Sequence, residues 1–319
     1  MVMAGVSRLL PLFLPLLAIS QQTGIHFPPL PDGFHSDVDE ISLSAGHYHT
    51  CAIEARAGVE FGGTVKCWGY NSHGQSSPPS GIFVQISSGH MHTCGILLDE
   101  TVSCWGSIMQ SEVPRGLFTQ VSSGEHHACG VLKDGSLSCW GRNDYGEGKP
   151  PAGTFVQVSC GNANTCGLRS NGIVECWGKN YMGQSEPPDG VLFKQISVSL
   201  NHHGCGLELG SVDSESGGGI RCWGNNNRGQ AEDKLGEYDQ VSTGFMSSCG
   251  VRSDKGIDCW GVAVPIPHES DETGENIYDQ ISLGSDHACG VRAEDGSLEC
   301  WAKGVDMGGA EVPHGFEVA

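Results

Sequence analysis

Basic residues are scarce in this chain: 17 Lys or Arg stand against 37 Asp or Glu among 319 residues, a formal net charge of −20. So negative a surface repels phosphate backbones and anionic lipid, which excludes nucleic acid as an expected partner. Long apolar runs are scarce as well. The run from Leu9 to Ile19 holds eleven residues, interrupted by Pro11 and Pro15, well short of the roughly 20 that a spanning helix needs. No later stretch approaches it, so no membrane span is expected. The segment Val312-Pro313-His314-Gly315-Phe316 offers no hydrophobic tail for lipid attachment. Helical periodicity is absent throughout. So are a Gly-x-Ser-x-Gly elbow, a His-Glu-x-x-His helix and a phosphate-cradling glycine loop, and no catalytic residue or cofactor is assigned. No Asn-x-Ser/Thr sequon occurs, and N-linked glycans are not expected.

What the first 20 residues do contain is a secretory pattern: one Arg8, the short apolar run, then Ala18-Ile19-Ser20 with small residues at the two cleavage-reading positions. Residues 1–20 are read as a signal peptide and 21–319 as the mature protein, secreted and extracellular. Outside the cytosol, fifteen cysteines are expected as disulfides. Zinc fits poorly, because structural zinc sites need close pairs such as Cys-x2-Cys and the pairs here are mostly ten residues apart. The acidic excess is lopsided, with 21 Asp or Glu against 7 Lys or Arg from residue 201 onward. It reads as a solvated face, or as a docking surface for a basic partner.

The strongest signal is a repeat. All seven tryptophans sit in one phrase, a cysteine followed by a second cysteine and Trp: Cys51 to Cys67-Trp68, Cys94 to Cys104-Trp105, Cys129 to Cys139-Trp140, Cys166 to Cys176-Trp177, Cys205 to Cys222-Trp223, Cys249 to Cys259-Trp260 and Cys289 to Cys300-Trp301. The first cysteines recur every 35 to 44 residues, the period of stacked supersecondary units. In the third copy Phe118 to Gly124 alternates like a strand, and Ala128 to Leu132 and Leu137 to Trp140 follow as two more. Lys133-Asp134-Gly135 makes a three-residue hairpin loop if Gly135 is left-handed. Counting back from that loop sets Cys129 opposite Cys139 in a non-hydrogen-bonded pair, where a cross-strand disulfide is reasonable. Seven such bridges are predicted, and Cys160 is left unpaired, either a buried spectator thiol or one half of an intermolecular bond.

After four of the copies, Asn71 to Gln75, Asn143 to Glu147, Asn180 to Gln184 and Asn226 to Gln230 read as turns in which Asn satisfies nearby backbone groups. Histidine stands two residues before the first cysteine in five copies: His49, His92, His127, His203 and His287. A ring of imidazoles around an axis is a speculative metal or anion site. Hydrogen bonding within or between repeats is the simpler role, since a residue repeated with the fold usually serves each repeat. Asp271-Glu272-Thr273-Gly274-Glu275 lacks the ordered ligand spacing of a calcium loop.

The Val-Ser-x-Gly-x-x-His-x-Cys-Gly-Val stretch, the Asp-Gly turn, Trp-Gly-x-Asn-x-x-Gly-Gln and the Pro-Pro link resemble the regulator of chromosome condensation repeat family. That family includes the secreted bacterial beta-lactamase-inhibitor protein II. The resemblance covers residues 28 to 318. It implies an all-β fold, a seven-bladed β-propeller built from seven repeats of about 40 residues. The paired cysteines are similar to those of the ectodomains of plant crinkly-type receptor kinases. Echoing phrases at residues 28–34 and 312–316 suggest a last blade completed from both termini. The function expected is a non-catalytic module, interaction or inhibitor-like, binding an unknown extracellular protein, a basic one being the complement of its charge. A propeller lyase or hydrolase using the histidine-rich axis is one alternative, and a glycan-binding lectin another. Specificity is expected in the unequal loops: Glu54 to Gly63, Glu208 to Gly219, Ser107 to Val113 and Val262 to Asp279.

Overall fold

The computed structural model describes residues 43–55, 61–107, 113–210, 218–262, 277–302, 308–309 and 311–313. The expected signal peptide, the central part of each unequal loop and the echoing terminal phrases other than residues 312–313 lie outside the described residues.

Every repeat folds into three antiparallel strands. In the third, Phe118–Ser123, His127–Leu132 and Leu137–Gly141 pair in that order. Its tip is the three-residue loop expected, with Gly135 at φ 81° and Leu132 N–H donating to Ser136 O at 2.8 Å. The register sets Cys129 against Cys139, and the equivalent pair faces in every other repeat. Seven disulfides close them: 51–67, 94–104, 129–139, 166–176, 205–222, 249–259 and 289–300. In the chain-entropy account, each short loop so closed stabilises the fold by roughly 2–3 kcal/mol.

Side-chain patterning explains how the units assemble. The middle strands show no alternation: His127 to Val131 are all buried, because both faces of each small sheet are covered by its neighbours. The core is therefore a series of inter-blade clusters. Cys94, Ile96 and Cys104 of blade 2 pack on Phe118, Val121 and Trp140 of blade 3, and Cys166 and Leu168 of blade 4 pack on Phe193 and Trp223 of blade 5. Glycine is needed where aromatic rings cross this layer. A Cβ at Gly130 would lie 2.5 Å from the Phe118 ring. The last interface closes the ring, with Leu43, Ala52 and Trp68 of blade 1 on Cys289 and Val291 of blade 7.

The first strands of all seven blades encircle the axis, and polar side chains stitch them together. Each carries a serine whose Oγ accepts a backbone N–H from the next blade: Ser44 from Ser88, Ser87 from Ser123, Ser122 from Cys160, Ser159 from Val198, Ser197 from Thr243, Ser242 from Leu283 and Ser282 from Ala45, at 2.8–3.1 Å. The last of these returns to blade 1, so the circle of seven is complete. Glutamines add a second row. Gln85, Gln120, Gln157, Gln195 and Gln240 accept from the next blade's Val121, Val158, Ile196, Val241 and Ile281 N–H at 2.7–2.9 Å. The architecture is thus all-β, a seven-bladed propeller; blades 1 and 2 also share one backbone pair, Gly63 with Phe83.

The expectation of a last blade completed from both termini rests on residues 28–34, which lie outside the described residues. Among the described residues each blade takes its three strands from one contiguous stretch, and none is shared between the termini. The closing interface also holds Gly309, whose carbonyl accepts from Trp68 Nε1 and Thr50 Oγ1 of blade 1, both at 2.8 Å, and Val312, packed against it.

Candidate functional site

Strand direction divides the propeller into two faces. The loops between first and second strands and the segments leaving the third strands share one end, as Tyr70 N–H to Tyr48 O and Lys179 N–H to Ala163 O show. The Asp-Gly hairpins occupy the other. The Asn-x-x-Gly turns of the first face are built as the sequence implies. Gly74, Gly146, Gly183 and Gly229 have φ of 77–88°. Asn71, Asn143, Asn180 and Asn226 accept the N–H five residues on at 2.9–3.1 Å. The residue that ends each turn is a buried anchor. Gln75, Glu147, Gln184 and Gln230 fold back onto the N–H two residues earlier, and the carbonyls of the first three take the indole N–H of the next blade's Trp105, Trp177 and Trp223.

The five repeated histidines lie in the middle strands and are buried. His49, His127, His203 and His287 meet Thr93, Thr165, Ser248 and Thr50 of the following blade at 2.8–3.0 Å through Nε2. Those hydroxyls donate their own protons to the carbonyls of Gln75, Glu147, Gln230 and Gly309. The imidazole must therefore be the donor, which fixes the Nε2–H tautomer. His92 is the exception: the next blade offers Ala128 at that position, and its Nε2 has no partner. Burial, with neighbouring imidazoles adding to it, holds His49 and His92 at about 3 and His127 at about 4; burial also holds His203 at about 4. All four are neutral at physiological pH. None of the five lines the axial cavity, and each of the four bonded ones serves its neighbouring blade.

That cavity, about 140 Å³, is lined mainly by the serine ring and by Ser88, Ser123, Cys160 and His47. Around its mouth a second set of imidazoles gathers. His47 and His90 have ring centroids 4.4 Å apart, His90 and His126 5.9 Å, and Phe245 packs on His47 at 5.4 Å. Burial, reinforced by His90 and His287, pushes His47 down to about 4. Burial lowers His90 despite Glu125, and lowers His202 despite the same carboxylate. Among the described residues the group of three metal-type donors within 4.8 Å of one another is His127, Cys129 and Cys160. Since Cys129 is already disulfide-bonded, the trio is not a ready ligand set.

On the same face, beyond the axis, the turns of blades 3 and 4 expose a compact apolar patch. Tyr181, Met182 and Tyr145 are 72, 50 and 44 % exposed. The two tyrosines meet edge to face at 6.0 Å, and Lys179 Nζ lies 5.2 and 5.4 Å from their rings. Their ordering costs little on binding, because the cation and the partner ring already hold each ring in place.

Two copies, residues 118–147 and 155–184, match the regulator of chromosome condensation (RCC1) repeat. The chain carries RCC1 repeats. Among solved structures it is similar to the CRINKLY WD40 ectodomain of the Arabidopsis thaliana receptor kinase ACR4, with TM-score 0.65 and 23 % identity over 84 % of this chain and 96 % of that one. The entire ectodomain of the Physcomitrella patens receptor kinase CR4 gives 0.65 and 22 %, over 82 % and 72 %. Prp20p from Saccharomyces cerevisiae, studied for its binding to Gsp1p and histones, gives 0.63 and 13 %, over 83 % and 82 %. At these identities the likeness is one of fold. No match is found among curated proteins. Among the described residues no helix is long and apolar enough to cross a membrane.

Several parts of this face escaped the sequence reading. The RCC1 repeat's inner serines and glutamines look like ordinary strand residues until the ring is closed, and their regular recurrence before Gly-x-x-His was the available signal. The Tyr145–Tyr181 pair is formed by residues 36 apart in sequence, inside turns read only for their Asn and Gly.

Proposed function

We propose that this chain is a secreted, non-catalytic propeller that binds another protein through the face carrying its Asn-x-x-Gly turns. The observation that carries this reading is the exposed Tyr145–Tyr181–Met182 patch beside Lys179, a composition typical of binding hot spots on a rigid frame. An extracellular setting is supported by seven disulfides, by the signal-like residues 1–20 and by ectodomains among the similar folds. Protein binding is in keeping with the binding of Prp20p to Gsp1p and histones. A non-catalytic role is supported by the engagement of the bonded repeat histidines in blade-to-blade bonds.

Capture from the extracellular fluid of the secreting tissue, run in parallel with Tyr145→Ser/Tyr181→Ser and with Lys133→Ser on the opposite face, tests the reading. A partner kept by the wild type and Lys133→Ser and lost by the double variant is expected. Equal retention by all three would overturn the assignment of this face. The tyrosine pair also suits stacking on a sugar ring, and saturable binding on a glycan array, abolished by the same double variant, would favour the lectin reading.

A further inference from the structure

Cys160 stands where blades 2 and 3 have Ser88 and Ser123, and it is the free cysteine among the described residues. It is buried against the bridge of the neighbouring blade: Cys160, Cys129 and Cys139 belong to one cluster between blades 3 and 4. Its sulfur, the Cys129 sulfur and a ring nitrogen of His127 all lie within 4.8 Å of one another. His127 is fully buried and donates through Nε2 to Thr165, so its Nδ1 is bare, and that atom has no partner. A thiol and a disulfide therefore converge in one closed site beside a buried imidazole. Cys139, the far end of the bridge, lies on the outer strand of the blade and is only half-buried.

We propose that blade 3 is a thiol–disulfide exchange site in which Cys160 attacks Cys129 and releases Cys139 as a reactive thiol. The sulfur of Cys160 forms a bond to Cys129 Sγ, the Cys129–Cys139 bond breaks, and its electron pair leaves on Cys139 Sγ. The proton lost by Cys160 passes to solvent, and Cys139 takes one back from solvent. The step is an isomerisation, with no oxidant or reductant. Its product ties blade 3 to blade 4 through Cys129–Cys160 and moves the free thiol from a sealed position to the rim. There the thiol is open to modification or to a disulfide with a second protein. Exchange is slow, because burial pushes the Cys160 thiol up to about 12 and the thiolate is the attacking species. Each pH unit below that value costs tenfold in rate.

The test is native-state alkylation of the full secreted chain with N-ethylmaleimide at pH 7.5 and 8.5, followed by non-reducing peptide mapping. The expected product carries the adduct on Cys139 together with a Cys129–Cys160 cross-link. It forms about tenfold faster at the higher pH, and it is absent from Cys160→Ser, which installs the residue blades 2 and 3 already use. Alkylation of Cys160 itself, no adduct until denaturant is added, or cross-links scattered among several blades would each overturn the proposal. Because the cross-link is read in the wild type, a folding defect in the variant does not decide the outcome. The result is also independent of whether the tyrosine face binds a protein.

Discussion

Acidification from pH 7.5 to 5.5 bears directly on the histidines between the blades. In the unfolded chain an imidazole takes up its proton near 6.5. In the fold, burial holds His49 and His92 at about 3 and His127 and His203 at about 4. Between those values the unfolded state binds more protons, so stability is complete above about pH 7.5 and is lost as pH falls. At pH 5.5 each such group costs about 1.4 kcal/mol, a figure unchanged so long as the folded value stays below about 5. Four together remove roughly 5–6 kcal/mol, a large part of the 5–15 kcal/mol typical of a folded domain. Carboxylates do not account for such a loss, since they titrate mostly below this window, and Asp99, Asp134, Asp254 and Asp295 are lowered further, mainly by hydrogen bonds within their own turns. The assay is guanidinium unfolding with disulfides intact, followed by tryptophan fluorescence. His92→Asn, which installs the residue blade 4 carries as Asn164, is expected to shrink the difference between the two pH values by about 1.4 kcal/mol. Stability equal at both pH values to within about 1 kcal/mol, or a variant with an undiminished difference, would refute the account of neutral interblade imidazoles.

Further expectations follow from individual bonds. Ala128→Thr gives His92 Nε2 the hydroxyl that His49, His127 and His287 already meet, and should raise the unfolding midpoint by an amount equivalent to about 1 kcal/mol. Gln120→Leu strands both the N–H and the C=O of Val158 in blade 4, and a loss of roughly 2–3 kcal/mol in denaturant unfolding is expected. Ser87→Ala orphans the Ser123 N–H in the axial ring; water in the adjoining cavity limits the expected loss to about 1 kcal/mol. Tyr181→Ser, by contrast, alters an exposed side chain and should leave the midpoint within about 0.5 kcal/mol of wild type, so any lost binding is not a folding defect.

How much of this was legible in the sequence depends on the range over which each residue acts. The hairpin is local: Asp134 and Gly135 dictate the turn, the turn dictates the register, and the register places Cys129 on Cys139. Each link spans ten residues or fewer, so periodicity alone carried the reasoning through to the bridges. The histidine row was half-legible, because its recurrence argued for a repeated structural task, while its partners Thr93, Thr165 and Thr50 lie 38 to 237 residues away. The serine circle was not legible, since Ser282 and Ala45 meet only when blade 7 returns to blade 1. Closure also changes what a lone residue means. Cys160 in an open strand is an odd thiol with no partner in view; in the closed ring it occupies a serine position one blade along from the Cys129–Cys139 bridge. Its burial disfavours direct pairing with another molecule, whereas exchange with the neighbouring bridge would place the free thiol on Cys139 at the half-buried outer strand.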